Sequence, residues 1–97
     1  MDLPRFKKSL TGTAPPTGVA APLEALWWEA RGDWTKAHEI AQAHDDAACA
    51  WVHAYLHRVE GDLGNAAYWY RRADKAPDTG ALKAEWEQMV KALIEKA

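Results

Sequence analysis

The chain has 97 residues, enough for one domain with its own hydrophobic core. Its net charge of −2 argues against a nucleic-acid partner, because such proteins carry a basic patch or stripe. The single cysteine excludes an intrachain disulfide and favours a reducing compartment. No apolar run has the length of a membrane span or the form of a signal peptide, so we expect a cytoplasmic protein without membrane contact.

The first 21 residues are predicted to form a flexible or extended N-terminal arm. They contain three prolines and two glycines and show no sustained hydrophobic period. Leu3, Phe6 and Leu10 are the side chains that could attach this arm to the rest of the molecule. Residues 22–97 are predicted to form one helical domain, because no segment shows the alternation of a strand.

Five helices are predicted in this domain, at about 22–31, 34–44, 47–60, 63–75 and 80–96. Gly32 followed by Asp33 is typical of a left-handed helix end and the N-cap of the next helix. Gly61 and Asp62 repeat this break, and Asp45 and Asp46 are predicted to end the second helix and cap the third. The fifth helix is apolar on one side and charged on the other, which is typical of a helix that ends a stack.

The sequence also contains an internal repeat. Residues 25–45, "ALWWEARGDWTKAHEIAQAHD", align with residues 54–74, "AYLHRVEGDLGNAAYWYRRAD", at an offset of 29 residues. The pattern resembles the tetratricopeptide (TPR) repeat, a helical hairpin with a Gly-Asp turn and small residues where the helices meet. This resemblance implies an all-α fold with two TPR-like antiparallel hairpins and a C-terminal capping helix.

The run "WVHAYLHRVEGDLGNAAYWYRRA" at 51–73 is also similar to the signature of a family of small uncharacterised bacterial proteins with fungal relatives. That family carries no established activity, so the similarity indicates a group and not a function.

The TPR resemblance implies that the first helix of each hairpin lines a binding face. On that basis Trp51, Tyr55 and Arg58 would form a contact patch with Glu29, and Arg71 is a further candidate contact. Aromatic and arginine side chains dominate the energetics of protein interfaces. The leading interpretation is therefore a non-catalytic module that binds a protein partner or itself, as a homodimer. For this interpretation we expect no catalytic residue, no metal and no cofactor.

The histidines support a second interpretation. His53 and His57 are four residues apart on one helical face, a spacing that can hold zinc, with Glu60 or His38 as a third ligand. The structural alternative is that both histidines donate hydrogen bonds to tyrosine hydroxyls or backbone carbonyls inside the core. The TPR resemblance implies such a position, between the two helices of a hairpin, with His57 facing Ala66 and Tyr70.

A small-molecule or metal site, with or without enzymatic activity, would in this second interpretation include His53, His57, Tyr70 and Arg71. A serine–histidine–aspartate trio cannot be assembled, because the only serine lies in the N-terminal arm. The aromatic side chains at 68–70 span too wide an arc to face one helix. Either the fourth predicted helix is sandwiched between the third and the fifth, or one of these rings is exposed to a partner.

Overall fold

The computed structural model describes residues 1–96 and shows six α-helices and no strand within them. The helices are α1 (Leu3–Ser9), α2 (Ala21–Ala30), α3 (Trp34–Gln42), α4 (Ala47–Val59), α5 (Leu63–Ala73) and α6 (Leu82–Lys96). The predicted all-α class is confirmed. No helix among the described residues is both long enough and apolar enough to cross a membrane.

The turns within the two hairpins have the predicted chemistry. Gly32 and Gly61 both have φ of 87°, in the left-handed region that glycine adopts without strain. Asp33 accepts a hydrogen bond from the backbone N–H of Lys36, and Asp62 accepts one from that of Asn65. These carboxylates satisfy N–H groups that have no partner inside the helix, and so fix where α3 and α5 begin.

The two hairpins, α2–α3 and α4–α5, pack side by side through α3 and α4 and through α2 and α4. The helices within each hairpin meet at alanines that are fully or almost fully buried, Ala25, Ala37, Ala54 and Ala66. A small side chain at these positions lets the two backbones approach closely. The central helix is α4, which contacts α2, α3, α5 and α6.

The C-terminal helix α6 lies against α2 and α4, the first helices of the two hairpins. Trp86 is buried there and its indole Nε1 donates a 3.0 Å hydrogen bond to the carbonyl of Leu26. The prediction that α5 is sandwiched between α4 and α6 is therefore wrong, because the apolar side of α6 covers α2 and α4 instead. As a result one ring of α5, that of Tyr68, is 43% exposed.

The N-terminal segment differs from the predicted irregular arm, because residues 3–9 form α1 and pack on the domain. Asp2 caps this helix, and Phe6 is 0% exposed in the common core. Trp27 Nε1 donates a 3.1 Å hydrogen bond to Ser9 Oγ, and the guanidinium of Arg31 donates to the carbonyls of Leu10 and Gly12. Residues 10–20 contain no helix or strand, as the composition of this segment indicated.

Candidate metal centre

Three of the four histidines converge where α3 passes α4. His53 and His57 lie one turn apart on α4 and are both almost fully buried. His38 comes from α3 in the other hairpin and is half-buried. Asp33 and Asp46 cap α3 and α4 and fix where these two helices begin. They thereby contribute to the positions at which the three histidines meet.

The ring nitrogens of the three histidines are close enough to share one ion. Nε2 of His38 is 3.0 Å from Nε2 of His53. The rings of His53 and His57 have centroids 4.8 Å apart, and those of His38 and His57 are 5.3 Å apart. One nitrogen from each residue lies within 4.8 Å of the other two. We call this set, His38, His53 and His57, the histidine cluster.

A carboxylate orients one member of the histidine cluster. Nδ1 of His57 is 2.6 Å from Oε1 of Glu60, the residue directly after the end of α4. When His57 is neutral, its hydrogen must be on Nδ1 to donate to this acceptor, which leaves a lone pair on Nε2. A carboxylate on the far nitrogen of a histidine ligand is the usual outer-shell arrangement of protein metal sites.

Two tryptophans form the walls of the histidine cluster. The Trp69 ring on α5 stacks on His53, with centroids 3.9 Å apart and planes 12° from parallel. The Trp34 ring stacks on His38 at 4.9 Å and 9°, and its Nε1 donates a 2.7 Å hydrogen bond to the carbonyl of Leu56. These contacts hold two of the three imidazoles in fixed planes.

The environment keeps His38 and His53 in the form that binds metals. Burial, followed by the proximity of His38 and His57, lowers the pKa of His53 to about 4. Burial also lowers the pKa of His38, and the neighbouring His57 adds to this effect. Neutral imidazole is the ligand form of histidine, so protons do not compete at neutral pH for the nitrogens of these two residues.

The side chains of the contact patch predicted from the TPR resemblance make their contacts within the chain. Tyr55 is 3% exposed, and burial raises its pKa, with the carboxylate of Glu29 adding to the effect. Arg58 donates a 2.8 Å hydrogen bond to Glu85 of α6 and a further one to the carbonyl of Gly80. Trp51 is half-buried, with Nζ of Lys75 4.4 Å from its ring centroid.

This side of the molecule also has an opening. Glu29 and Tyr55 line a cleft of about 310 Å³ between α1, α2, α4 and α6. Glu29 is half-buried. Burial raises the pKa of its carboxyl group, although a hydrogen bond from Tyr55 acts to lower it.

The alternative site predicted around His53, His57, Tyr70 and Arg71 is divided by the fold. Tyr70 points to α6, where its hydroxyl donates a 2.6 Å hydrogen bond to Glu85 Oε2. Arg71 is exposed on the outer side of α5. The ring neighbours of His57 are on α3 and α4, so it does not lie against Tyr70 as the resemblance implied. The hydrogen-bond partners of the two histidines are His38 and Glu60, and not tyrosine hydroxyls or backbone carbonyls.

Sequence reasoning missed the two wall tryptophans and the buried carboxylate of Glu85. Trp34 and His38 are four residues apart on α3, and this spacing is a sequence signal that would have placed them together. No local signal brings Trp69 onto His53, because that contact depends on how the second hairpin closes.

The fold and the histidine cluster define the class of this molecule: an all-α protein of two helical hairpins in which three histidines converge beside a carboxylate. No family model, no curated protein and no solved structure matches the chain.

Proposed function

We propose that this protein binds a transition-metal ion through His38, His53 and His57, and that Zn²⁺ is the ion that fits best. The observation that carries the proposal is the convergence of three ring nitrogens within 4.8 Å of one another. Imidazole nitrogen suits zinc, copper and nickel, whereas calcium and magnesium require oxygen ligands.

The spacing supports a tetrahedral ion. At a Zn–N distance of 2.0–2.1 Å, two nitrogens on a tetrahedral zinc ion are about 3.3 Å apart. The His38 and His53 nitrogens are 3.0 Å apart without an ion, so they would separate by only a few tenths of an ångström. The ligand nitrogen of His57 lies within 4.8 Å of the other two and would have to move closer to reach this distance. Glu60 would then serve as the outer-shell acceptor on Nδ1.

The test is metal content and thermal stability of protein made without a histidine tag. We expect about one equivalent of zinc by elemental analysis after saturation and desalting. When the free ion concentration is 100 times the dissociation constant, binding stabilises the native state by about 2.7 kcal/mol. For a domain of this size that corresponds to a rise in melting temperature of about 10–20 °C.

The chain provides its own control. His38→Ala and His57→Ala should abolish both the bound zinc and the thermal shift. His44→Ala should leave both unchanged, since His44 is exposed and lies outside the histidine cluster. Absence of a thermal shift in the wild type, or equal losses in the His44 and His57 variants, would rule out the proposed site.

A second candidate function is self-association, which the outer side of α5 favours. Tyr68 is exposed, and the guanidinium carbons of Arg71 and Arg72 lie 6.0 and 5.8 Å from its ring centroid. Asp45, which is bonded to Arg72, is on the same surface. This surface therefore carries both charges beside an aromatic ring, an arrangement compatible with a self-complementary two-fold interface.

Light scattering with size-exclusion chromatography tests this candidate directly. A dimer that becomes monomeric in the variant Tyr68→Ala would support it, and a monomeric wild type at high micromolar concentration would refute it. Neither outcome affects the metal measurement, which uses different residues.

A further inference from the structure

The cleft between α1, α2, α4 and α6 has the size of a small-molecule site. Its volume of about 310 Å³ lies at the lower end of the range for such sites, roughly 300–1,000 Å³. None of its lining residues belongs to the histidine cluster. The apolar residues that line it are Leu10, Ala30, Tyr55, Val59, Leu82 and Trp86. The cleft therefore suits a ligand with a small apolar body.

Two polar groups lie together in this cleft. The carboxyl group of Glu29, on α2, accepts a hydrogen bond from the hydroxyl of Tyr55, on α4. This bond uses the single hydrogen of the hydroxyl, so its oxygen can only accept a bond from a further group. An ionised carboxylate is likewise an acceptor only. A ligand that bonds to both groups must therefore present several hydrogen-bond donors.

The charges that line the cleft leave Glu29 without a cationic partner. Lys7 and Lys83 balance Glu29 and Glu87 in number, but both lysines act on Glu87. Lys7 forms an ion pair with it at 2.7 Å. Among residues 1–96 no ion pair includes Glu29. The pKa of its carboxyl group is raised by burial and lowered by Tyr55, with no contribution from a cation.

The charged groups around the cleft are engaged elsewhere. Arg31, two residues after Glu29, donates to two backbone carbonyls of the N-terminal segment. Arg58 and Glu85, which act on the pKa of the cleft tyrosine, are bonded to each other at 2.8 Å. Asp78 is 3.9 Å from the same guanidinium. A half-buried carboxylate that lacks a counter-charge is costly, and a ligand with a positive charge would offset this cost.

We propose that the cleft binds a small primary amine, with its ammonium group at Glu29 and Tyr55 and its apolar body against Val59 and Trp86. An ammonium group supplies both the positive charge and three donors. Lys7 and Lys83 line the same cleft and would repel a second cationic group, so the ligand is a monoamine and not a polyamine. The inference goes beyond metal binding and does not depend on it.

Nuclear magnetic resonance titration of isotope-labelled protein with phenethylamine at neutral pH tests the site. We expect saturable shifts with a dissociation constant of about 1 mM, a typical value for a ligand of this size. The indole N–H of Trp86 should shift because Trp86 lines the cleft, whereas that of Trp34 should not. Hydrocinnamate, with the same ring and chain but a carboxylate, and the neutral phenethyl alcohol should bind at least about tenfold more weakly.

Two variants complete the design. Glu29→Gln should weaken phenethylamine binding about tenfold or more, because the charge-assisted bond is lost. It should remain folded, since it removes a charge that has no cationic partner, and circular dichroism can verify this. Glu24→Gln is the control, because it makes the same change on α2 outside the cleft and should leave binding unchanged.

Three results would overturn the inference. The first is the absence of a saturable shift at about ten times the expected dissociation constant. The second is equal affinity for phenethylamine and either of the two comparison compounds, and the third is an equal loss of binding in the Glu24 and Glu29 variants. The zinc measurements are unaffected by any of these results, because the two sites share no residue.

Discussion

The buried carboxylate of Glu85 joins α6 to the second hairpin, and its replacement by glutamine should destabilise the fold. Glu85 is 2% exposed. Its Oε1 accepts a 2.8 Å hydrogen bond from Arg58, and its Oε2 accepts a 2.6 Å hydrogen bond from the hydroxyl of Tyr70. Glutamine has nearly the same shape but provides one acceptor oxygen and an NH₂ group, which must then face a donor.

The expected loss of stability follows from these two bonds. A hydrogen bond to a charged group contributes about 1.5–3 kcal/mol, and removal of one partner from a buried ion pair costs about 3–5 kcal/mol. Asp78 is 3.9 Å from the guanidinium of Arg58 and keeps part of the attraction. We therefore expect the free energy of unfolding to fall by about 2–4 kcal/mol, a large share of the 5–15 kcal/mol typical of a domain.

The assay is urea unfolding followed by tryptophan fluorescence and far-ultraviolet circular dichroism. The matched control is Glu87→Gln, the same substitution two residues along the same helix. Glu87 pairs with Lys7 at 2.7 Å in a partly exposed position, so its replacement should move the urea midpoint very little. An unchanged midpoint in the Glu85 variant, or equal shifts in both variants, would refute the role assigned to the buried carboxylate.

Two further substitutions and one labelling reaction test the hairpin turn and the core. Gly61→Ala should destabilise the protein by about 1–2 kcal/mol because φ is 87° there. Gly64→Ala should stabilise it by about 0.5–1 kcal/mol, since Gly64 is helical and an added Cβ meets no atom within 4 Å. Equal signs of the two changes in urea unfolding would contradict one of these expectations. Cys49 is buried with a pKa of about 12, so it should react with Ellman's reagent only as fast as the protein unfolds. Complete labelling of native protein within the mixing time would contradict that expectation.

Features set by neighbouring residues could be predicted from the sequence. Gly32 with Asp33, and Gly61 with Asp62, fix the turn and the helix start within a few residues, and the structure contains both. The four-residue spacing of His53 and His57 likewise guarantees that they share a face of α4. None of these features depends on how the helices are arranged in space.

Features set by packing between distant helices could not be predicted in the same way. The apolar side of α6 was visible, but nothing local specifies whether it covers α5 or the pair α2 and α4. Glu85 is four residues before Met89 and so shares its buried side, yet a carboxylate at that position is normally assigned to the surface. Only the partners Arg58 and Tyr70, which come from the second hairpin, make its burial possible.

The two sides of α4 differ in what covers them, and this difference explains why the histidine side is the better candidate site. At 100° per residue, Tyr55 is about 200° around the helix from His53. The TPR resemblance assigns the side of Tyr55 and Arg58 to ligands. In the structure, α6 covers that side. A protein ligand that displaced α6 would have to break both hydrogen bonds of Glu85 and expose Trp86, Met89 and Val90, which are buried on α6.

The opposite side of α4 requires no such displacement. His53 and His57 lie on the side of α4 that faces α3, with the ring of His38 beside them. An ion bound by these histidines would leave the contacts of α6 in place, and its binding energy would add to the stability of the whole domain. Since α3 and α4 belong to different hairpins, the ion would also join the two repeats. The division of α4 therefore predicts that metal binding survives Glu85→Gln as long as the domain remains folded, which titration of the variant with Zn²⁺ can establish.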